Sequence, residues 1–106
     1  MAWTLLAVAG IFEIAFAFGM KWSVGFSRLL PSVFTIATGL SSVVLLSVAL
    51  RTLPVGTAYA VWTGIGAAGT AILGMTLLDE PAAAPRLACI ALILAGIIGL
   101  KLAAPQ

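Results

Sequence analysis

Glu13 is the only ionisable side chain in the opening stretch MAWTLLAVAGIFEIAFAFGM. Twenty residues of helix rise about 30 Å, the thickness of a bilayer's hydrocarbon core, so the stretch can span a membrane with Glu13 somewhat past its middle. An acid at that depth costs roughly 2.5 to 3.5 kcal/mol on insertion scales. Such groups face a protein interior or a wet cavity and usually mark an ion or substrate path. The plainer alternative is a protonated carboxyl that only bonds one helix to another.

The residues sharing its helix face, by spacings of three, four and seven, are Leu6, Ala9, Gly10, Phe16, Ala17 and Met20. Ala9, Gly10 and Ala17 leave room for another backbone or a ligand. Phe16 adds a ring face suited to a cation. An acid, small neighbours and a ring, deep in lipid, read as a cation site at which a proton competes for the same carboxyl.

Two later stretches hold further polar or aromatic side chains. Thr35, Thr38, Ser41 and Ser42 lie in one apolar run, with Thr35, Thr38 or Gly39, and Ser42 on one stripe. The common fate of a membrane Ser or Thr is to bond back to its own helix, and position alone does not separate Ser42 from the others. In GTAYAVWTGIGAAGTAILG the helical spacing puts Tyr59, Trp62, Thr63 and Gly66 on one face. Tyr59 and Trp62 also read as interfacial aromatics. Gly64 and Gly66 near mid-span can serve as a hinge or as close-packing positions.

The elements that carry these residues follow from composition. Of 106 residues, 63% are hydrophobic and only 8% charged, against about a quarter charged in a soluble domain. The expected fold is an all-α integral membrane protein, a single domain over 1–106 with four spans at about 2–20, 31–50, 57–78 and 87–102. Lys21 to Leu29, Thr52 to Gly56, and Asp79-Glu80-Pro81 with Pro85 are the connections. Five Lys and Arg, scattered along the chain, exclude a nucleic-acid partner. With no His and one Cys, no metal, cofactor or disulfide is expected, and nothing suggests an enzyme or a catalytic residue. Glu13 interrupts the first apolar run and no basic start precedes it, so a cleavable signal peptide is not expected.

Four spans put Arg51 and Lys101 on one side and Lys21, Arg28 and Arg86 on the other. That balance gives almost no orientation bias. A chain so balanced can insert either way, and two opposed copies can pair as an antiparallel, dual-topology dimer that brings two Glu13 residues together. Inverted symmetry of this kind is what alternating access exploits elsewhere.

The sequence resembles the small multidrug resistance transporters along nearly its whole length. The resemblance rests on Glu13, on Lys21 with Gly25-Phe26-Ser27-Arg28-Leu29 and Pro31-Ser32, and on Leu53-Pro54-Val55-Gly56-Thr57-Ala58-Tyr59-Ala60-Val61-Trp62. Thr63-Gly64-Ile65-Gly66-Ala67 and Gly99-Leu100-Lys101 are similar to the guanidinium-exporter subtype in particular. The resemblance implies an antiparallel dimer in the bacterial inner membrane that exchanges protons for small guanidinyl cations by alternating access. Glu13 would bind both, with Ser42, Tyr59 and Trp62 around it and Gly10 nearby. One departure stands out: Phe16 occupies a position where that subtype commonly has Trp, so the ring is kept and the indole N–H donor lost.

Guanidinium suits such a site, since its planar fork of N–H donors pairs with a carboxylate in the manner of an Arg–Glu bridge. Two Glu13 carboxyls at one depth would titrate jointly. Other readings are a broader exporter of quaternary or hydrophobic cations, one subunit of a heterodimer with a sister chain, and a non-transporting membrane subunit whose Glu13 only joins helices.

Overall fold

The computed structural model describes residues 1–103; the last three residues of the expected 1–106 domain lie outside them. It consists of four helices, α1 (Ala2–Trp22), α2 (Leu29–Ala49), α3 (Val55–Leu77) and α4 (Ala84–Ala103). All four are long and apolar enough to cross a membrane.

The helix ends differ from the expected spans by a few residues, for local reasons. α1 runs on through Lys21 to Trp22, because a basic residue in the last turn complements the helix dipole. α2 starts at Leu29, two residues before Pro31, and α4 at Ala84, one before Pro85. Both prolines fall in a first turn, where the missing N–H breaks no helical bond. Between α1 and α2, Gly25 (φ 70°) turns the chain, and the buried Ser23 hydroxyl accepts from Phe26 N at 3.0 Å while donating to Met20 O at 2.8 Å. Between α3 and α4, Arg86 Nη2 pairs with Glu80 Oε1 at 2.9 Å, and the Glu80 carboxylate lies over Gly74 near the end of α3.

The helices form a slab. α1 packs on α2 and α3, while α4 packs chiefly on α3 and meets α1 where Lys101 lies over Trp3. The principal extents are 43 × 34 × 17 Å. A helix with its side chains is about 10–12 Å across, so the slab is at most about two helices thick. The buried apolar cluster of Leu6, Leu46, Ala49, Leu53, Ala58 and Val61 sits at the end holding the α2–α3 turn. Elsewhere the helices close up through glycine: Gly10 against Ile65, Gly19 against Phe34 and Thr35, Gly69 against Ile14. With lipid outside as apolar as any side chain, backbone approach through small residues is what holds such helices together.

Candidate functional site

Each of the first three helices contributes one part of the site. α1 carries Glu13, which is half-buried on the face toward α3. α3 meets it with Gly66. A Cβ at Gly66 would lie 3.3 Å from Glu13 Cβ and 3.6 Å from Cδ, and would collide with Cγ. Only a glycine lets the acid rest on the α3 backbone.

α2 contributes Ser42, which is fully buried. Its hydroxyl donates to the Ala9 carbonyl at 2.7 Å, and it accepts from Trp62 Nε1 at 2.8 Å. In the helical pattern the Ala9 carbonyl is also the acceptor for the Glu13 N–H. The bond from Ser42 therefore ties α2 to the turn of α1 that begins the acid's position, and Trp62 extends the tie to α3. The other hydroxyls of the run behave differently. Thr35 donates to Pro31 O at 2.7 Å, Thr38 to Phe34 O at 2.9 Å and Ser41 to Ala37 O at 2.8 Å, all within α2.

Two clefts meet at Glu13 and Phe16. One, of about 410 Å³, runs toward α2 and is lined by Ile36, Gly39, Leu40 and Val43, with Trp62 at its edge. The other, of about 300 Å³, runs along α3 past Thr63, Gly66, Ala67 and Thr70, with Ala17 and Met20 on the α1 side. Trp62 and Thr63 are neighbours in sequence but about 100° apart around α3, which puts them in different clefts. The Phe16 ring abuts α2 at Gly39, its nearest atoms 2.7 and 2.8 Å from where a Cβ on Gly39 would stand.

The carboxyl of Glu13 makes no hydrogen bond to protein among the described residues. An acid carried this deep, fixed through its backbone and left open at its head, can accept a proton or a cation with N–H donors. Thr63 and Thr70 are the hydroxyls lining the clefts it opens into.

The remaining residues singled out from sequence fall outside the clefts. Gly10 is buried, and a Cβ there would strike Ile65, so it sets the α1–α3 distance one turn from the acid. Gly64 faces Ile93 and Ile97 of α4, and α3 is helical without interruption through Gly64-Ile65-Gly66. Tyr59 is exposed and stacks obliquely on Trp62, ring centres 5.2 Å apart. Sequence reasoning missed Thr70, although Thr63, Gly66, Ala67 and Thr70 carry the i, i+3, i+4, i+7 signal one step further along α3.

Fold and site together define a multi-pass membrane protein built around one intramembrane acid. Residues 1–93 match the family described as Small Multidrug Resistance protein. The chain is 59% identical to a guanidinium exporter of Yersinia pestis over 103 residues, 97% of this chain and 99% of that protein. It is 58% identical to one of Citrobacter freundii over 102 residues, covering 96% and 97%. A guanidinium exporter of Salmonella typhimurium is 57% identical over 104 residues, covering 98% and 99%. The chain belongs to the small multidrug resistance family, and it is a multi-pass protein of the inner membrane.

Proposed function

We propose that this protein exports guanidinium and small guanidinyl cations in exchange for protons, Glu13 binding the two in turn. The observation that carries this reading is the open Glu13 carboxyl resting on Gly66 where two clefts meet. A carboxylate without a protein partner can accept the paired N–H donors of a guanidinium, and it releases the cation when it takes a proton. The names of the relatives point to the same substrate.

In this reading the working unit is an antiparallel homodimer. The slab is thin, both clefts at Glu13 open to its surface, and the Lys and Arg balance of two against three favours neither orientation. Two opposed copies would face two Glu13 residues across one chamber, open alternately to either side. Gly64 and Gly66 would then act less as a hinge than as tracks, letting Ile97 and Glu13 slide against α3.

A second reading is a broader range of hydrophobic cations, favoured by the apolar lining of the Phe16 cleft by Ile36, Leu40 and Val43.

The test is proton-coupled current in proteoliposomes of purified protein, for guanidinium, phenylguanidinium and a tetraalkylammonium. Current for guanidinium with none for the quaternary ion supports the first reading, current for both the second, and none for any the non-transporting subunit. A tag after Gln106 should be reached from both sides of the membrane; access from one side alone favours a heterodimer.

A further inference from the structure

We propose that the groove between α1, α3 and α4, at the end of the slab carrying Lys101, binds one anionic phospholipid. Its phosphate would sit at Lys101 and an acyl chain along the groove.

The groove is separate from Glu13 and, at about 590 Å³, larger than either cleft there. Its walls are apolar: Ala7 from α1, Val61 and Ile65 from α3, Ile97, Ile98 and Leu102 from α4. Its mouth is not. Lys101 Nζ stands 4.8 Å from the centre of the Trp3 ring, and the Trp3 indole N–H is buried without an acceptor among the described residues. Lys101 also suits the negative end of the α4 dipole, which accounts for a base in this turn but not for its position over a ring at a groove's mouth.

No Asp or Glu side chain of the same chain serves this corner. The sequence has three such residues. Glu80 is held by Arg86, and Asp79 stands beside it at the opposite end of the slab. Glu13 is ten residues beyond Trp3 along α1, about 15 Å deeper. A cation held over an indole ring beside a hydrocarbon-lined groove is complementary to an anionic headgroup with its chain. A zwitterionic lipid adds a positive group beside Lys101, and free phosphate leaves the apolar walls unused. A lysine near an anionic lipid surface is worth about 1 kcal/mol, or about fivefold in retention.

The experiment is native mass spectrometry of the full-length protein in detergent with phosphatidylglycerol or phosphatidylcholine of matched chains. The wild type should retain phosphatidylglycerol about fivefold better. Lys101→Gln should remove that preference, Lys101→Arg should keep it, and Ala7→Phe, which fills the groove, should lower retention of both lipids. Arg51→Gln alters a cation at the same end away from the groove and should leave the preference intact; circular dichroism and size exclusion check each variant's fold.

Equal retention of the two lipids, or equal losses in Arg51→Gln and Lys101→Gln, would overturn the proposal, as would displacement of the lipid by millimolar inorganic phosphate. So would a wild type that retains no lipid, in particular one in which Asp79→Asn loosens the assembly as much as Lys101→Gln does. That result would assign the groove to a second, opposed copy of the chain.

Discussion

α1 and α4 have nearly the same length, 21 and 20 residues, and similar apolar composition, yet they sit in the molecule very differently. α1 buries Leu6, Ala9, Gly10, Phe18 and Gly19 and is covered on two sides. α4 buries only Ile90 and leans chiefly on α3. The contrast is sharpest at the glycines. Gly10 and Gly19 of α1 each receive a side chain from a neighbouring helix, whereas Gly96 and Gly99 of α4 have nothing within 4 Å of where a Cβ would be. A glycine packs a membrane helix only when a partner supplies the bulk that fits it. The helix with filled glycines carries the intramembrane acid, and the helix with open ones leaves those positions uncovered.

Four experiments can break or sharpen that contrast. The largest effect should come from Glu13→Gln, which keeps the shape of the side chain but cannot exchange a proton. Proton-coupled guanidinium current should vanish while helicity and elution volume stay as in the wild type; current near the wild-type rate would remove Glu13 from the mechanism.

Next comes a matched pair of glycines. Gly66→Ala drives a methyl into Glu13 and should destabilise the protein by about 1–3 kcal/mol, the usual cost of overpacking, while weakening guanidinium binding. Gly96→Ala meets nothing and should stabilise the helix by up to about 1 kcal/mol through propensity. Denaturation in mixed micelles measures both. A loss at Gly96→Ala as large as that at Gly66→Ala would mean that the open face of α4 is filled in the assembled protein.

The hydroxyls allow a finer comparison along α2. Ser42→Ala removes the bond to Ala9 and strands the Trp62 indole N–H, so it should cost about 1 kcal/mol on the scale of interhelical bonds in membranes. Thr38→Val, which breaks only bonds within α2, should cost less in the same assay. Ser42→Ala should also lower guanidinium affinity and Thr38→Val should not. Equal effects of the two would deny Ser42 any special part in holding the site.

The smallest effect should come from Phe16→Trp. A larger ring must press on Gly39, and its N–H can reach for the Glu13 carboxyl. Guanidinium current should persist, with the ratio of phenylguanidinium to guanidinium current falling a few-fold. An unchanged ratio would mean that Phe16 does not set the substrate range.

Much of this was legible in the chain itself. Length, apolarity and the Gly and Pro punctuation determine four spans, because a backbone in lipid must satisfy its own hydrogen bonds and does so as helices. The depth of Glu13 is equally a property of sequence, since it follows from rise per residue. The three- and four-residue spacings also brought Phe16, Ala17 and Met20 to the acid's side of α1, where all three line a cleft.

What only the tertiary structure decided is which of several equivalent residues left its own helix for a neighbour. Thr35, Thr38, Ser41 and Ser42 all have a carbonyl of their own helix within reach, so nothing local distinguishes them. Ser42 alone of the four crosses to α1, because α2 approaches α1 closely at Ala9. The same holds for the glycines. Gly10 faces Ile65, Gly64 faces Ile97 and Gly66 faces Glu13, three partners on three different helices. A missing side chain records that something must come close; what comes close depends on how the helices cross, and that is settled by packing across the whole slab.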